Sequence, residues 1–198
     1  MKTSKNILEF RRQLAHIFFG VIILWGIHFD LLYPFSLFVF LCIISVILFA
    51  IKKGIHVPVF FPVLRYFERK DHLHRFPGRG LFFYLLGALM CMLLYKQKVI
   101  VMASLSILLL GDAVSNLAGR HLGKIPHFLN KDKTVEGTLA GIIVSTAVCS
   151  LFFPFYPSLL ASTVGMIAEI PRIQFWNIPL DDNVSIPVSA GAVLMFFI

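Results

Sequence analysis

The stretch LLYPFSLFVFLCIISVILFAI, residues 31–51, contains no charged side chain. A helix needs roughly 20 consecutive apolar residues to cross the hydrocarbon core of a bilayer, and this stretch has that length. Polar and apolar residues do not alternate along it as they do in the strand of a membrane barrel. The stretch therefore predicts a transmembrane helix.

The rest of the chain has the same character. Of its 198 residues 58% are hydrophobic and only 14% are charged, whereas soluble domains have about 25% charged residues. Further apolar runs cover roughly residues 13–29, 81–95, 99–110, the two halves of 137–168, and 184 onward; prolines within 153–157 divide the long uncharged stretch. We predict a single integral membrane domain, residues 1–198, that is all-α: a polytopic transmembrane helical bundle of about seven spans.

Basic residues predict the orientation of this bundle. Sixteen of the 18 Lys and Arg residues lie in the N-terminal segment or in the loops after the second, fourth and sixth apolar runs, and only Lys96 and Lys98 lie in the opposite loops. Cytoplasmic loops carry the excess of Lys and Arg, so we expect a cytoplasmic N-terminus. The net charge of +8 then suits anionic lipids or an anionic substrate, and we expect no nucleic acid partner.

Two weaker patterns give local expectations. The basic loop 52–80 also contains an apolar segment, which favours a helix lying along the membrane interface. Cys42, Cys91 and Cys149 lie within apolar runs without CxxC spacing, so we predict small core residues rather than a disulfide or metal site. The first apolar run is preceded by basic residues and followed by no small-residue cleavage site, so we expect it to be retained as a span.

The segment GDAVSNLAGRHLGK, residues 111–124, is the most informative for function. Asp112 directly follows an apolar run, where a carboxylate is costly and usually functional. Small residues at 111, 113, 115 and 119 permit close backbone approach, either to a neighbouring helix or to a phosphate. Helix packing with an interfacial Asp is the simpler interpretation.

The segment KDKTVEGT, residues 131–138, begins the next apolar run. Thr134 or Asp132 is expected to cap the helix there, with Glu136 in its first turn. The backbone N–H groups of such a helix start attract anions, and Lys131 and Lys133 add charge that suits a polyphosphate. An ordinary cap with lysines reaching the interface would give the same pattern.

Two further polar clusters flank the apolar runs. Arg11 and Arg12 precede the first run, with His16 about one turn inside it; Glu169 ends the sixth run, and residues 181–183, Asp-Asp-Asn, precede the seventh. Carboxylates there would suit Mg²⁺. The simpler interpretations are a positive-inside anchor and a solvated turn capped by Asn183.

Together these clusters fall at the predicted cytoplasmic ends of the spans. Carboxylates with Lys and Arg at one membrane face are what a metal-dependent phosphoryl transfer to a lipid needs: cations neutralise the polyphosphate, and a carboxylate accepts the proton of the lipid hydroxyl. The sequence contains no Walker A, GxSxG or HExxH motif.

These segments resemble the CTP-dependent polyprenol and lipid kinases, a family that includes dolichol kinase, CTP-dependent diacylglycerol kinase and phytol kinase and is related to phosphatidate cytidylyltransferases. The matching segments, in the family's order, are RRQLAHIFFG at 11–20, GDAVSNLAGRHLGK at 111–124, KTVEGTLAG at 133–141, AE at 168–169 and DNVSIP at 182–187. Ser115 stands where the family often has Ala. The long N-terminal extension of eukaryotic dolichol kinases is missing, so the chain resembles a minimal prokaryotic member.

The resemblance implies CTP as co-substrate, Mg²⁺ or another divalent cation as cofactor, and a membrane lipid alcohol as acceptor. It also implies a prokaryotic cell membrane as the location, with the active site on the cytoplasmic side. It implies catalytic roles for Asp112, Lys133 and Glu136, and metal binding by Asp112 and Asp182. The implied nucleotide site comprises Arg11, Arg12, Gly111, Gly119, Gly123, Lys124, Lys131, Lys133, Thr134 and Gly137. Further candidates are His16, Asn116, Glu169 and Asn183.

Three functions stay open at this point. The first is a kinase that phosphorylates a polyprenol, phytol or diacylglycerol, and the second is cytidylyl transfer that forms a CDP-lipid. The third is a membrane transporter or structural protein. A transporter is expected to show an inverted repeat or polar groups near the bilayer midplane, and the sequence offers neither. The acceptor lipid and the oligomeric state stay open as well.

Overall fold

A computed structural model describes residues 2–58, 60–67, 76–171, 174–175, 178–179 and 181–198, with side chains from residue 7 and outside the segment 174–179. The α-helices are α1 (Lys2–His28), α2 (Pro34–Lys52), α3 (Phe60–Phe67), α4 (Arg79–Leu94), α5 (Lys98–Ser106), α6 (Ala113–Leu122), α7 (Val135–Cys149), α8 (Phe155–Ala168) and α9 (Asp182–Leu194). A π-helical turn, Ile107–Asp112, joins α5 to α6, and a 3₁₀ turn, Met195–Phe197, follows α9. The strands β1 (Gln174–Phe175) and β2 (Ile178–Pro179) form a small antiparallel ribbon.

The predicted helical fold is confirmed for the described residues, apart from that ribbon. Every predicted apolar run forms a helix, and the break near residue 153 is also observed, because α7 ends at Cys149 and α8 begins at Phe155. Two helices are long and apolar enough to cross a membrane, Pro34–Lys52 and the continuous helix Lys98–Leu122, while α4, α7, α8 and the C-terminal helix are shorter. The count of about seven spans stays a prediction.

The core lies around the continuous helix Lys98–Leu122. Leu105, Ile107 and Leu108 are fully buried, and α7, α8 and α9 pack around the π-helical turn that follows α5. The helix that carries Asp112 is thus enclosed by other helices.

Two local predictions have mixed outcomes. Cys91 and Cys149 are buried free thiols, as predicted, but the prediction of a core position is wrong for Cys42, which is exposed because it lies on the outer face of α2. The loop between α2 and α4 contains a helix, α3, although the structure does not test whether it lies along a membrane. The basic residues Arg69, Lys70, Arg75 and Arg172 lie outside the described residues.

Candidate functional site

The π-helical turn ends at Asp112. Each hydrogen bond in such a turn encloses one more residue than in an α-helix. The turn therefore rotates the residues that follow it relative to those that precede it. Asp112 is only 6% exposed. The Asn116 side-chain amide donates to the backbone carbonyl of Asp112 at 3.0 Å and to Asp112 Oδ1 at 2.6 Å. The carboxylate is therefore held in one orientation by the first turn of α6.

The ammonium group of Lys133 is the centre of a cluster drawn from four parts of the chain. It pairs with Glu169 Oε1, lies 3.6 Å from Asp182 Oδ2 and 3.9 Å from Asp112 Oδ1, and donates to Asn116 Oδ1 at 3.1 Å. The side chain of Glu169 is 1% exposed, that of Asp112 8% and that of Lys133 15%. Sequence reasoning named all five residues, and the structure brings them together.

Helix ends place these groups. Of the two predicted caps of α7, Thr134 is the N-cap, and its hydroxyl accepts from the Gly137 amide at 3.3 Å. Lys133 directly precedes this cap. Glu169 directly follows α8, and Asp182 is the first residue of α9. Because these helix ends meet at one end of the bundle, residues distant in sequence share one site.

The N-cap of α9 corrects one prediction. The cap is Asp181, whose side chain accepts from the Asn183 amide at 3.3 Å, so the assignment of the cap to Asn183 is wrong. Asp181 also binds Arg79 at 3.0 Å. Burial first, and the neighbouring Asp182 charge second, raise the pKa of Asp181 to about 7. The ion pair of Asp181 with Arg79 therefore connects α9 to α4 beside the cluster, and Asn183 lies within one helical turn of Asp181.

Oxygen atoms of Asp112, Glu169 and Asp182 lie within 4.8 Å of one another. Ligands on opposite sides of an octahedral Mg²⁺ are about 4.2 Å apart, since each bond is about 2.1 Å. Glu169 Oε2 and Asn183 Oδ1 are buried and have no hydrogen-bond partner among the described residues. One ammonium opposes three carboxylates here, so the residues fit a hard divalent cation in both ligand type and charge.

A second buried cluster surrounds Glu9, which is 2% exposed. Its carboxylate accepts from Arg12 at 2.5 Å, from Arg120 at 2.7 Å and from Gln13 at 3.1 Å. Sequence reasoning missed Glu9 and Arg120 as site residues. The available signal was the spacing of Glu9 and Arg12, since residues three apart meet on a helix surface.

The two predicted phosphate-binding arginines differ in their surroundings. Arg12 is within electrostatic range of Asp112 and Asp182, so it belongs to the same end of the bundle as the carboxylates. The Arg11 guanidinium instead lies 4.4 Å from the centre of the Tyr66 ring of α3. Their assignment to a nucleotide stays a prediction.

The predicted nucleotide-binding glycines lie where helices touch. A Cβ on Gly137 would come within 2.6 Å of the Ser115 carbonyl and 3.0 Å of Gly119 Cα, and one on Gly119 would come within 2.9 Å of the Thr134 hydroxyl. A Cβ on Gly123 would likewise crowd Thr134, and one on Gly111 would crowd Met166. Close helix packing, one of the two predicted reasons for small residues, is therefore what the structure contains.

Glu136, predicted as catalytic, is not one of the three converging carboxylates. Its two oxygens accept from the Ile125 amide at 3.2 Å. Hydrogen bonds from its own amide first, and then from the Lys124 and Ile125 amides, lower the pKa of Glu136. It thus fastens the loop before α7, on which Lys124 and Lys131 are exposed.

Comparison with known proteins gives distant relatives. The chain is 26% identical over 190 residues to an uncharacterized protein of Methanocaldococcus jannaschii, a match that covers 94% of this chain and 92% of that protein. It is 25% identical over 130 residues to the probable chloroplastic phytol kinase 1 of Glycine max, covering 59% of this chain and 42% of that protein. It is 26% identical over 134 residues to the CTP-dependent diacylglycerol kinase 1 of Schizosaccharomyces pombe, covering 58% of each.

No protein-family profile matches the chain, and no solved structure matches it. The chain spans about half the length of the two named kinases. These similarities support a relationship with lipid kinases at a general level.

Proposed function

We propose that this protein is an integral membrane kinase that transfers the γ-phosphate of CTP to the hydroxyl of a membrane lipid alcohol. The observation that carries the proposal is the convergence of Asp112, Glu169 and Asp182 around Lys133. The similarity to a named phytol kinase and a named CTP-dependent diacylglycerol kinase supports a lipid alcohol as acceptor and CTP as donor. A polyprenol such as dolichol, phytol and diacylglycerol are the candidate acceptors.

The residues divide into three roles under this proposal. Asp112, Glu169 and Asp182 would hold Mg²⁺, which when bound neutralises phosphate charge. Lys133 and Arg12 bind phosphate oxygens as fixed cations. Asp112 or Asp182 accepts the proton of the acceptor hydroxyl. The hydroxyl oxygen then bonds to the γ-phosphorus, the bond from that phosphorus to the β–γ bridging oxygen breaks, and CDP leaves.

The proposed setting is a prokaryotic cell membrane, with about seven spans and the N-terminus and the site on the cytoplasmic side. The site groups all lie at one end of the bundle, whereas the opposite end has the exposed pair of Lys98 and Asp30, 2.8 Å apart. Large apolar side chains on α1 and α2 face outward, among them Phe18, Trp25 and Phe38. Such an apolar exterior suits contact with lipid chains.

The test is a labelling assay with purified protein, Mg²⁺, and phytol, dolichol or diacylglycerol in mixed micelles. With γ-labelled CTP, we expect label in the lipid and loss of the reaction when the divalent cation is chelated. Label found only in pyrophosphate, together with transfer of α-label to a lipid phosphate, would contradict the kinase proposal and favour CDP-lipid synthesis.

A further inference from the structure

The imidazole of His16 and the phenol of Tyr84 form a polar pair that the cluster around Lys133 does not use. Their ring centres are 5.0 Å apart and the rings are nearly perpendicular. His16 Nε2 and Tyr84 Oη are both buried, and neither has a hydrogen-bond partner among the described residues. A buried polar atom without a partner destabilises the fold, so two such atoms on neighbouring rings require an explanation.

The pair lies beside the candidate site. His16 follows Arg12 by about one turn of α1, and its imidazole is next to the Leu108 backbone of the π-helical turn, within electrostatic range of Asp112 and Asp182. Although His16 as a whole is partly exposed, its Nε2 is buried. Tyr84, on α4, is 3% exposed. The His16 imidazole of this pair therefore lies within electrostatic range of the carboxylates, and its ring contact brings Tyr84 beside it.

Gly20 leaves room for the Tyr84 hydroxyl. A Cβ at Gly20 would come within 2.6 Å of Tyr84 Oη and would also collide with Leu109. Next along α1 from His16, Phe18 and Phe19 are exposed on the outside of the bundle. A ligand with a polar head and a long apolar chain could therefore place its head at the pair and its chain along this outer face.

We infer that His16 Nε2 and Tyr84 Oη bind the hydroxyl group of the lipid alcohol, an inference that rests on the proposed function for the reaction that follows binding. One alcohol group satisfies both atoms, since its O–H donates to His16 Nε2 while the Tyr84 O–H donates to its oxygen. The pair thus selects an alcohol against other apolar molecules, because a ligand without the O–H leaves Nε2 unpaired.

The test measures binding without any nucleotide. Phytol and 1,2-dioctanoylglycerol are each compared with their methyl ethers, whose oxygen cannot donate to His16, by thermal stabilisation of the detergent-solubilised protein. We expect at least one alcohol to bind about tenfold more tightly than its ether, the effect of one well-made hydrogen bond. Equal affinity of both alcohols and their ethers would overturn the inference and leave ordered water as the partner of these atoms.

Two variants and one matched control locate the effect. His16→Phe should bring the affinity ratio of alcohol to ether close to one, because it removes the acceptor that only the alcohol can use. Tyr84→Phe should weaken the binding of alcohol and ether alike, because both oxygens accept from the Tyr84 hydroxyl. Tyr95→Phe should leave both affinities unchanged, because Tyr95 is a similarly buried tyrosine whose hydroxyl donates to the Val188 carbonyl. Tyr84→Phe removes an unpaired hydroxyl and should not lower the unfolding temperature, so a loss of affinity will not reflect misfolding. An unchanged ratio in His16→Phe, or unchanged affinities in Tyr84→Phe, would contradict the inference.

The outcome separates this inference from the proposed function. If wild-type protein prefers the alcohol but never transfers phosphate from CTP, the hydroxyl site stands and the kinase proposal fails. If phosphate is transferred while alcohol and ether bind equally, the kinase proposal stands and the hydroxyl site fails. If both hold, Tyr84→Phe should raise the KM for the alcohol and leave the KM for CTP unchanged.

Discussion

Among the described helices, the two that are both long and apolar enough to span a membrane are Pro34–Lys52 and Lys98–Leu122, and they differ in nearly every other respect. The most apolar 18-residue stretch of the first has a mean hydropathy of 2.8, and 28% of that stretch is buried. The corresponding stretch of the second has a mean hydropathy of 1.8, and 72% of it is buried. The second also contains the π-helical turn and Asp112. The less hydrophobic helix lies inside and the more hydrophobic one outside, which is the reverse of a soluble protein.

The proposed membrane setting accounts for the difference, because lipid and protein make different demands on a helix. A lipid-facing surface needs only apolar side chains, and α2 meets its neighbours through a narrow stripe that includes Leu37, Leu41 and Ile44. A helix surrounded by protein can carry a carboxylate where neighbours supply partners, as Asn116 and Lys133 do for Asp112. In the proposed membrane setting Asp112 is therefore a candidate functional residue, because carboxylates inside membrane proteins are costly and usually functional.

The largest predicted effect comes from removing the charge of Asp112, the buried carboxylate of the inner helix Lys98–Leu122. Asp112→Asn keeps the side-chain size but removes a proposed metal ligand. We expect the rate of phosphate transfer from CTP to fall at least a hundredfold, about 3 kcal/mol of transition-state stabilisation. The measurement is the kcat of the labelled-CTP assay at saturating Mg²⁺.

Asp30→Asn is the matched control for that change. Asp30 lies at the opposite end of the bundle, where it pairs with Lys98, and its φ of 55° is a conformation that Asn also tolerates. Its rate should equal that of the wild type. A normal rate in Asp112→Asn, or an equal loss in both variants, would contradict the proposed role of Asp112.

A second prediction concerns the outer helix, where burial alone should decide the effect. Ile44 is 2% exposed and Val46 is 68% exposed, two residues apart on α2. Ile44→Ala should lower the free energy of unfolding by about 2–5 kcal/mol, because it leaves a cavity. Val46→Ala should change it by less than about 0.5 kcal/mol. Denaturation in detergent micelles measures both, and equal effects would show that the stripe on α2 does not pack as described.

The helices and one cap could be predicted from the sequence, because both depend on local patterns. Each apolar run predicted a helix that the structure contains, the cost of a carboxylate singled out Asp112, and Thr134 was one of two predicted caps. Glu136 was assigned to catalysis because it shares a motif with Lys133, yet its carboxylate faces the Ile125 amide. Neighbours in sequence need not point toward the same site.

The remaining features depend on tertiary geometry. Glu9 lies in a segment dominated by basic residues, which by itself predicts a membrane anchor, and only folding brings Arg120 to it. The π-helical turn leaves no signature in the composition, although it rotates the side chains of α6 relative to those of α5. The contact of Lys133 with Glu169 likewise requires two helix ends to meet.

The smallest predicted effect tests the contact that holds the inner helix against α7. Gly137→Ala places a methyl group within 2.6 Å of the Ser115 carbonyl, and backbone cannot move aside as a side chain can. We expect a loss of about 1–3 kcal/mol in the free energy of unfolding. Gly80→Ala, also within a helix, brings its new methyl group within 4 Å of no neighbouring atom in the described part of the chain. It should stabilise by up to about 1 kcal/mol, since Ala favours helix over Gly. If both variants unfold at the same denaturant concentration, then α6 and α7 are not in backbone contact at Gly119 and Gly137, and these glycines would be free to approach a phosphate instead.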